Sequence, residues 1–193
     1  MSNAVIIEES GPNVIVRFNR PEVRSPLSLN VLERLNEIIG DVEQHGGIER
    51  LIFTGVGDVF ASGADLREIA AVDKNGARGF AERGQALMNR ITRVRAKTVA
   101  AVNGLCFGGA LDLALACDYR IASHGAIFAH PGTDLGIMTG WGGTQRLPRL
   151  IGEARSLEMF FTARRVPASE AMQMGLIDQV HERPVDAALE IPI

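Results

Sequence analysis

Phe60-Ala-Ser-Gly-Ala-Asp-Leu66 and Asn103-Gly-Leu-Cys-Phe-Gly-Gly-Ala-Leu-Asp-Leu113 are the two stretches that organise this chain. Each reads as an exposed turn feeding a helix. The first turn of a helix has no internal partners for its N–H groups, so such a turn aims donors outward. Gly63 and Gly108–Gly109 let the main chain come close to a ligand. One such turn is an anion nest. Two together can grip a single developing oxyanion from both sides.

Outward from these turns the pattern alternates. Leu51–Thr54 reads as a buried strand entering the first glycine turn, and Val99–Val102 as a strand entering the second. Before them come short strands at Val5–Glu9 and Val14–Phe18, joined by a Gly11-Pro-Asn13 turn. Leu29, Val31, Leu32, Leu35, Ile38, Ile39 and Val42 recur at helical spacing, which predicts a helix from Leu27 to about Gln44. A second long helix is expected from Ala77 to Val94, with Phe80, Leu87, Ile91 and Val94 on one face. Leu111–Ala116 continues the second turn as a helix, and Tyr119–Ala122 and Ala126–Phe128 are short strands. Helices follow near Thr144–Ile151, Ala154–Thr162 and from Ser169, with a short helical stretch between Pro184 and Pro192. This alternation indicates an α/β protein. There is no strict repeat, linker or low-complexity segment.

Composition narrows the function classes. The chain has 193 residues, suited to one domain, and a net charge of −3, unlike a general nucleic-acid binder. Cys106 and Cys117 sit in apolar company and read as buried free thiols without metal-ligand spacing. Met1-Ser-Asn-Ala4 carries no basic stretch before an apolar run, and no apolar run approaches spanning length. A cytoplasmic protein is expected, with no membrane and no nucleic-acid partner.

Taken together, Asn19-Arg-Pro-Glu-Val-Arg-Ser-Pro-Leu27, Ala61-Ser-Gly-Ala-Asp-Leu66, the Val102–Asp118 segment and Gly142-Gly-Thr-Gln-Arg-Leu147 resemble the enoyl-CoA hydratase/isomerase (crotonase) superfamily. The resemblance implies a spiral of ββα units with two roughly perpendicular sheets, as a single domain over 1–193. It also implies an acyl-CoA thioester as substrate, with coenzyme A entering as part of it and no separate cofactor, and a homo-trimer or hexamer. Similar proteins continue past Gly175–Val180 into further helices, so the C-terminal helical region is expected to be shortened here.

By that resemblance the oxyanion donors are the N–H groups of Ala64 and Gly109. The proton-handling positions are Asp112 and Gly132: the first keeps a carboxylate one methylene shorter than glutamate, and the second keeps none. Asp134 and His130 flank the gap as alternative acid/base groups. A structural role, Asp134 in its turn and His130 turned away from the acyl group, is the plainer expectation for both. Glycine at position 132 also resembles the dihydroxynaphthoyl-CoA synthase branch, where bicarbonate stands in for the missing carboxylate. Thr139 and Gly140 lack the acidic residues of that branch, of the dienoyl-CoA isomerases and of the aryl-CoA dehalogenases. For CoA the matching positions are Val23, Arg24, Ala61, Asp65 and Leu66, with Gly132 and Trp141 along the acyl group. The leading expectation is an enoyl-CoA hydratase-like lyase of fatty-acid or related acyl-CoA metabolism. An isomerase or bicarbonate-assisted enolate enzyme, and a catalytically weak acyl-CoA-binding subunit, remain as alternatives.

Overall fold

The computed structural model describes residues 4–193, so Met1–Asn3, on which the reading of no secretory signal largely rests, lie outside the described residues. The strands fall into two sheets. The larger holds β1 (Val5–Ser10), β2 (Asn13–Phe18), β3 (Arg50–Gly55), β5 (Lys97–Val102), β7 (Tyr119–Ala122) and β10 (Gln179–Val180), in that order across the sheet. The smaller holds β4 (Val59–Ala61), β6 (Leu105–Phe107), β8 (Ile127–Ala129) and β9 (Val166–Pro167). Successive passes therefore lay one strand in each sheet: β3 then β4, β5 then β6, β7 then β8. Pairing is parallel from β2 to β10, and only the β1–β2 hairpin and the β8–β9 edge are antiparallel.

Asn103 is the joint between the sheets. Its Oδ1 accepts the Gly55 amide at 2.8 Å, and its Nδ2 donates to the carbonyls of Gly57 and Val59. At the next residue, Gly104, a Cβ would strike the Asp58 backbone. The Asn-Gly pair thus lets one pass stack on the one before it.

Helices cover both faces of the larger sheet. α1 (Leu29–Gln44) begins where Ser28 caps the Val31 amide, and buries Val31, Leu32, Leu35, Ile38, Ile39 and Val42. With α3 (Ala77–Ile91) and α4 (Gly109–Ala116) it encloses the main core. The opposite face is covered by α8 (Pro184–Leu189) and Ile191, which pack on Ile15, Ile52, Val99, Ala101 and Ile121. Arg50 fastens that end by donating to the Ile191 carbonyl at 2.6 and 3.0 Å.

Several short elements escape the sequence pattern, β9 and β10 with two residues each among them. β4 and β6 are three residues long, too short for alternation to show, and α2 (Leu66–Ala71) buries none of its residues. The helix expected from Leu111 starts two residues earlier, which puts the Gly109 amide at its first position. Among the described residues no helix is long and apolar enough to cross a membrane.

Candidate active site

Both glycine turns end at one cavity of about 430 Å³, lined by Ser62 and Ala64 from the first and Gly108, Gly109 and Asp112 from the second. Gly63 has φ +93°, a left-handed conformation that favours glycine. A Cβ there would lie 2.6 Å from the Phe107 carbonyl oxygen and 2.7 Å from the Gly109 nitrogen. A Cβ on Gly109 would lie 3.3 Å from the Ala64 nitrogen. The two amides are thus neighbours across a gap that any side chain would fill. Among the loop and cap hydrogen bonds of the described residues, neither N–H donates to a backbone carbonyl. Gly108, at φ +54° and ψ −123°, turns the chain into α4, and the Gly109 amide opens the helix at its positive end.

One helical turn on, Asp112 stands at the cavity floor with no exposed surface. The Thr139 hydroxyl donates to its Oδ2 through a short hydrogen bond. Burial pushes its carboxyl up to about 7, against the pull of Thr139, the Trp141 and Gly143 amides and the Arg146 charge. Those amides are close enough to act on its charge, yet neither reaches Oδ1 in hydrogen-bonding geometry, and Oδ1 has no partner. His130 Nε2 lies 3.6 Å from that oxygen. The His130 ring is buried against Phe160, with centroids 5.0 Å apart, and neither ring nitrogen has a hydrogen-bond partner. Burial pushes this imidazole down to about 4, so it is neutral near physiological pH.

The remaining expected positions separate into near and far. Gly132 lines the cavity and starts a 3-10 turn, Thr133–Leu135, closed by Gly136 in the left-handed region. Asp134 points away: it is exposed and does not line the cavity, whereas Thr133 and Leu135 do. Trp141 both packs and lines. Its ring lies 6.0 Å from Phe80, and a Cβ on Gly84 or Gly109 would run into it.

Val23, Arg24 and Leu66 are exposed, and of the three only Leu66 lines the cavity. Asp65 is buried, caps α2 through the Arg67 amide and pairs with the Arg67 guanidinium, whose hydrogen bonds hold its carboxyl below the usual range. Ala61 departs from the expectation. It is fully buried within β4, paired with Cys106, and leaves no surface for a ligand, while Ser62 lines the cavity beside it. Thr139 escaped the sequence reading as a site residue. Its signal was a hydroxyl where acidic residues were sought, and only folding brings it to Asp112, 27 positions earlier.

A bicarbonate near Gly132 does not fit these residues. The Thr133 hydroxyl donates to the Phe160 carbonyl, the Thr139 hydroxyl to Asp112, and among the described residues no lysine or arginine lines the cavity.

Residues 9–189 match the enoyl-CoA hydratase/isomerase family, and the chain belongs to that family. It is 37% identical over 181 residues to the short-chain-enoyl-CoA hydratase of Clostridium acetobutylicum, covering 93% of this chain and 69% of that protein. To the crotonyl-CoA hydratase of Syntrophomonas wolfei it is 36% identical, covering 91% of this chain and 68% of that protein. Among solved structures, DspI of Pseudomonas aeruginosa superposes with a TM-score of 0.92 at 34% identity, covering 97% of this chain and 78% of that one. The fold is that of crotonase-type proteins.

Proposed function

We propose that this chain hydrates an α,β-unsaturated acyl-CoA thioester, holding the thioester oxygen on the Ala64 and Gly109 amides and handling protons through Asp112. The observation that carries the reading is the approach of those two amides across a gap kept open by Gly63 and Gly109. Addition of water at C3 sends the π electrons onto the thioester oxygen. Donors already aimed at that oxygen stabilise the enolate without reorganising, each worth roughly 3 kcal/mol. The names of the relatives, a short-chain-enoyl-CoA hydratase and a crotonyl-CoA hydratase, support the same chemistry.

The lining argues for an uncharged, apolar acyl group. Leu66, Ile69, Phe80, Leu135, Ile137 and Met138 surround the cavity. An acyl chain ending in a carboxylate would meet Asp112 and no lining cation, and a buried unpaired charge costs several kcal/mol. Among the described residues Asp112 is the single carboxyl group lining the cavity, which favours double-bond isomerisation as the second reading. A homo-trimer or hexamer in the cytoplasm is the assembly and location we propose on family resemblance, and a stable monomer by light scattering would count against that assembly.

The deciding experiment is a spectrophotometric assay with crotonyl-CoA beside a dicarboxylic enoyl-CoA, together with acetyl-CoA binding. Turnover of crotonyl-CoA, favoured at least tenfold over the dicarboxylic substrate, is expected. Binding without turnover of either would hand the reading to an acyl-CoA-binding subunit.

A further inference from the structure

Three polar atoms meet at the cavity floor without hydrogen-bond partners: Oδ1 of Asp112 and both ring nitrogens of His130. Buried polar atoms left unpaired cost about 1–3 kcal/mol each, so native folds seldom collect them without a use. Here they are neighbours, with Nε2 and Oδ1 3.6 Å apart, just beyond hydrogen-bond length. Both side chains line the same cavity as the two oxyanion amides. The partners of the pair are also uneven. Thr139 holds Oδ2, which leaves Oδ1 facing the imidazole.

We propose that Asp112 and His130 work as one pair sharing a single exchangeable proton, with His130 as the second acid/base group of the reaction. The inference rests on the hydratase reading. In the hydration direction the water oxygen forms its bond to C3 and the C2=C3 π pair moves onto the thioester oxygen. The enolate then re-forms its carbonyl as C2 takes the proton held by the pair. The proton released by the attacking water refills the pair, so the enzyme ends as it began and no redox partner is needed. A lone carboxyl would have to give up one proton and collect another with no second group to take either. Two groups in contact hold the proton between them.

The fold fixes the pair from several sides. Asp112 comes from α4, one turn after Gly109, and His130 from the end of β8. Phe160, from α6 (Glu153–Thr162), stacks on the imidazole. The titratable groups acting on the pair from neighbouring elements are Arg146 of α5 (Gly143–Ile151), whose charge favours an ionised Asp112, and the buried Cys106 thiol of β6. Between about pH 4 and pH 7 the pair carries one proton, on Asp112, with His130 neutral.

The test is His130→Gln, which keeps polarity and approximate size but cannot carry a proton. Crotonyl-CoA hydration is expected to fall 10²–10⁴-fold, the usual loss of one general acid/base group, with the affinity for butyryl-CoA within threefold of wild type. The wild-type rate should decline above about pH 7 as Asp112 loses its proton and also fall toward pH 4 as His130 gains one, and the residual rate of the variant should keep the first limb and lose the second. Hydration within threefold of wild type, or an unchanged pH profile, would overturn the pair while leaving the hydratase reading intact. Should wild type bind butyryl-CoA yet fail to hydrate crotonyl-CoA, that reading falls instead. Deuterium exchange at C2 of butyryl-CoA then judges the pair alone, with loss of exchange in His130→Gln supporting it and retained exchange overturning it. Should the variant fail to fold, NMR titration of the His130 ring in wild type decides. A shift that follows the Asp112 titration supports the pair, and an independent titration overturns it.

Discussion

The glycine turns and the 130–143 segment reach one cavity by opposite means. The turns contribute backbone: Ala64 and Gly109 offer amides, and what matters at Gly63 and Gly109 is the lack of a side chain. The later segment contributes side chains: His130 beside Asp112, Thr139 bonded to it, Trp141 packed over Gly109. Backbone donors are fixed by φ and ψ and tolerate almost no substitution. Side chains can exchange identities as long as a proton still has somewhere to go. The turns accordingly carry glycine where side chains would clash, while the later segment carries Gly132 where a carboxylate was sought.

The sharpest way to break the comparison is Gly109→Pro. It removes the proposed oxyanion donor, and a Cβ alone would already sit 2.5 Å from the Trp141 ring. Turnover should fall by at least about 10³-fold in a crotonyl-CoA assay, since one donor accounts for roughly 10²–10³ before the clash is added. Retained turnover would show that Gly109 is only a tight connection.

Stability against pH probes the other region. Asp112 keeps its proton up to about 7 when folded, against an ordinary value of 3.8, so by itself it makes the fold less stable as pH rises through that range. His130 stays neutral down to about 4 when folded, against an ordinary value of 6.5, so by itself it makes the fold more stable as pH rises from 4 to 6.5. In wild type the two slopes offset and denaturant midpoints should change little across this window on their account. In His130→Gln only the Asp112 slope remains, and stability should drop by about 4 kcal/mol in total from pH 4 to pH 7. Parallel curves for wild type and variant would contradict the assignment.

Restoring a carboxylate tests whether side chains in this segment are freely exchangeable. At Gly132 a Cβ would fall 2.5 Å from the Ile137 carbonyl oxygen, so the 3-10 turn must shift to admit one. Gly132→Glu is therefore expected to destabilise the fold by about 1–3 kcal/mol in urea unfolding, as overpacking does, and not to raise hydration. A rise in turnover would show that the turn relaxes and that the position accepts an acid. The smallest effect is expected from Asp134→Asn, whose exposed side chain lies outside the cavity: hydration within twofold of wild type. A large loss there would move the second acid/base role from His130 to Asp134.

Much of this was legible in the residues. The spacing of Leu32, Leu35 and Ile39 announced α1 because one helical face must be apolar to pack, and all three are buried. Gly63 and Gly108 announced the turns because left-handed backbone favours glycine, and both have positive φ. Local rules of this kind act within a few residues, so the chain states them by itself. β4 and β6 were not legible, since their three residues merge into the glycine-rich stretches, and they pair with each other across 45 to 46 positions.

The site divides the same way. Sequence alone placed two glycine turns ahead of helices and a carboxyl one helical turn after Gly109, and the family resemblance supplied the expectation that their amides are donors. Neither could determine what that carboxyl would meet. Asp112, His130 and Thr139 come from α4, the end of β8 and the loop before α5, and only the stacking of successive passes brings them together. Burial then raises the pKa of Asp112 and lowers that of His130, because removing water penalises charge on either. Desolvation belongs to the assembled interior, and no local stretch of sequence carries it.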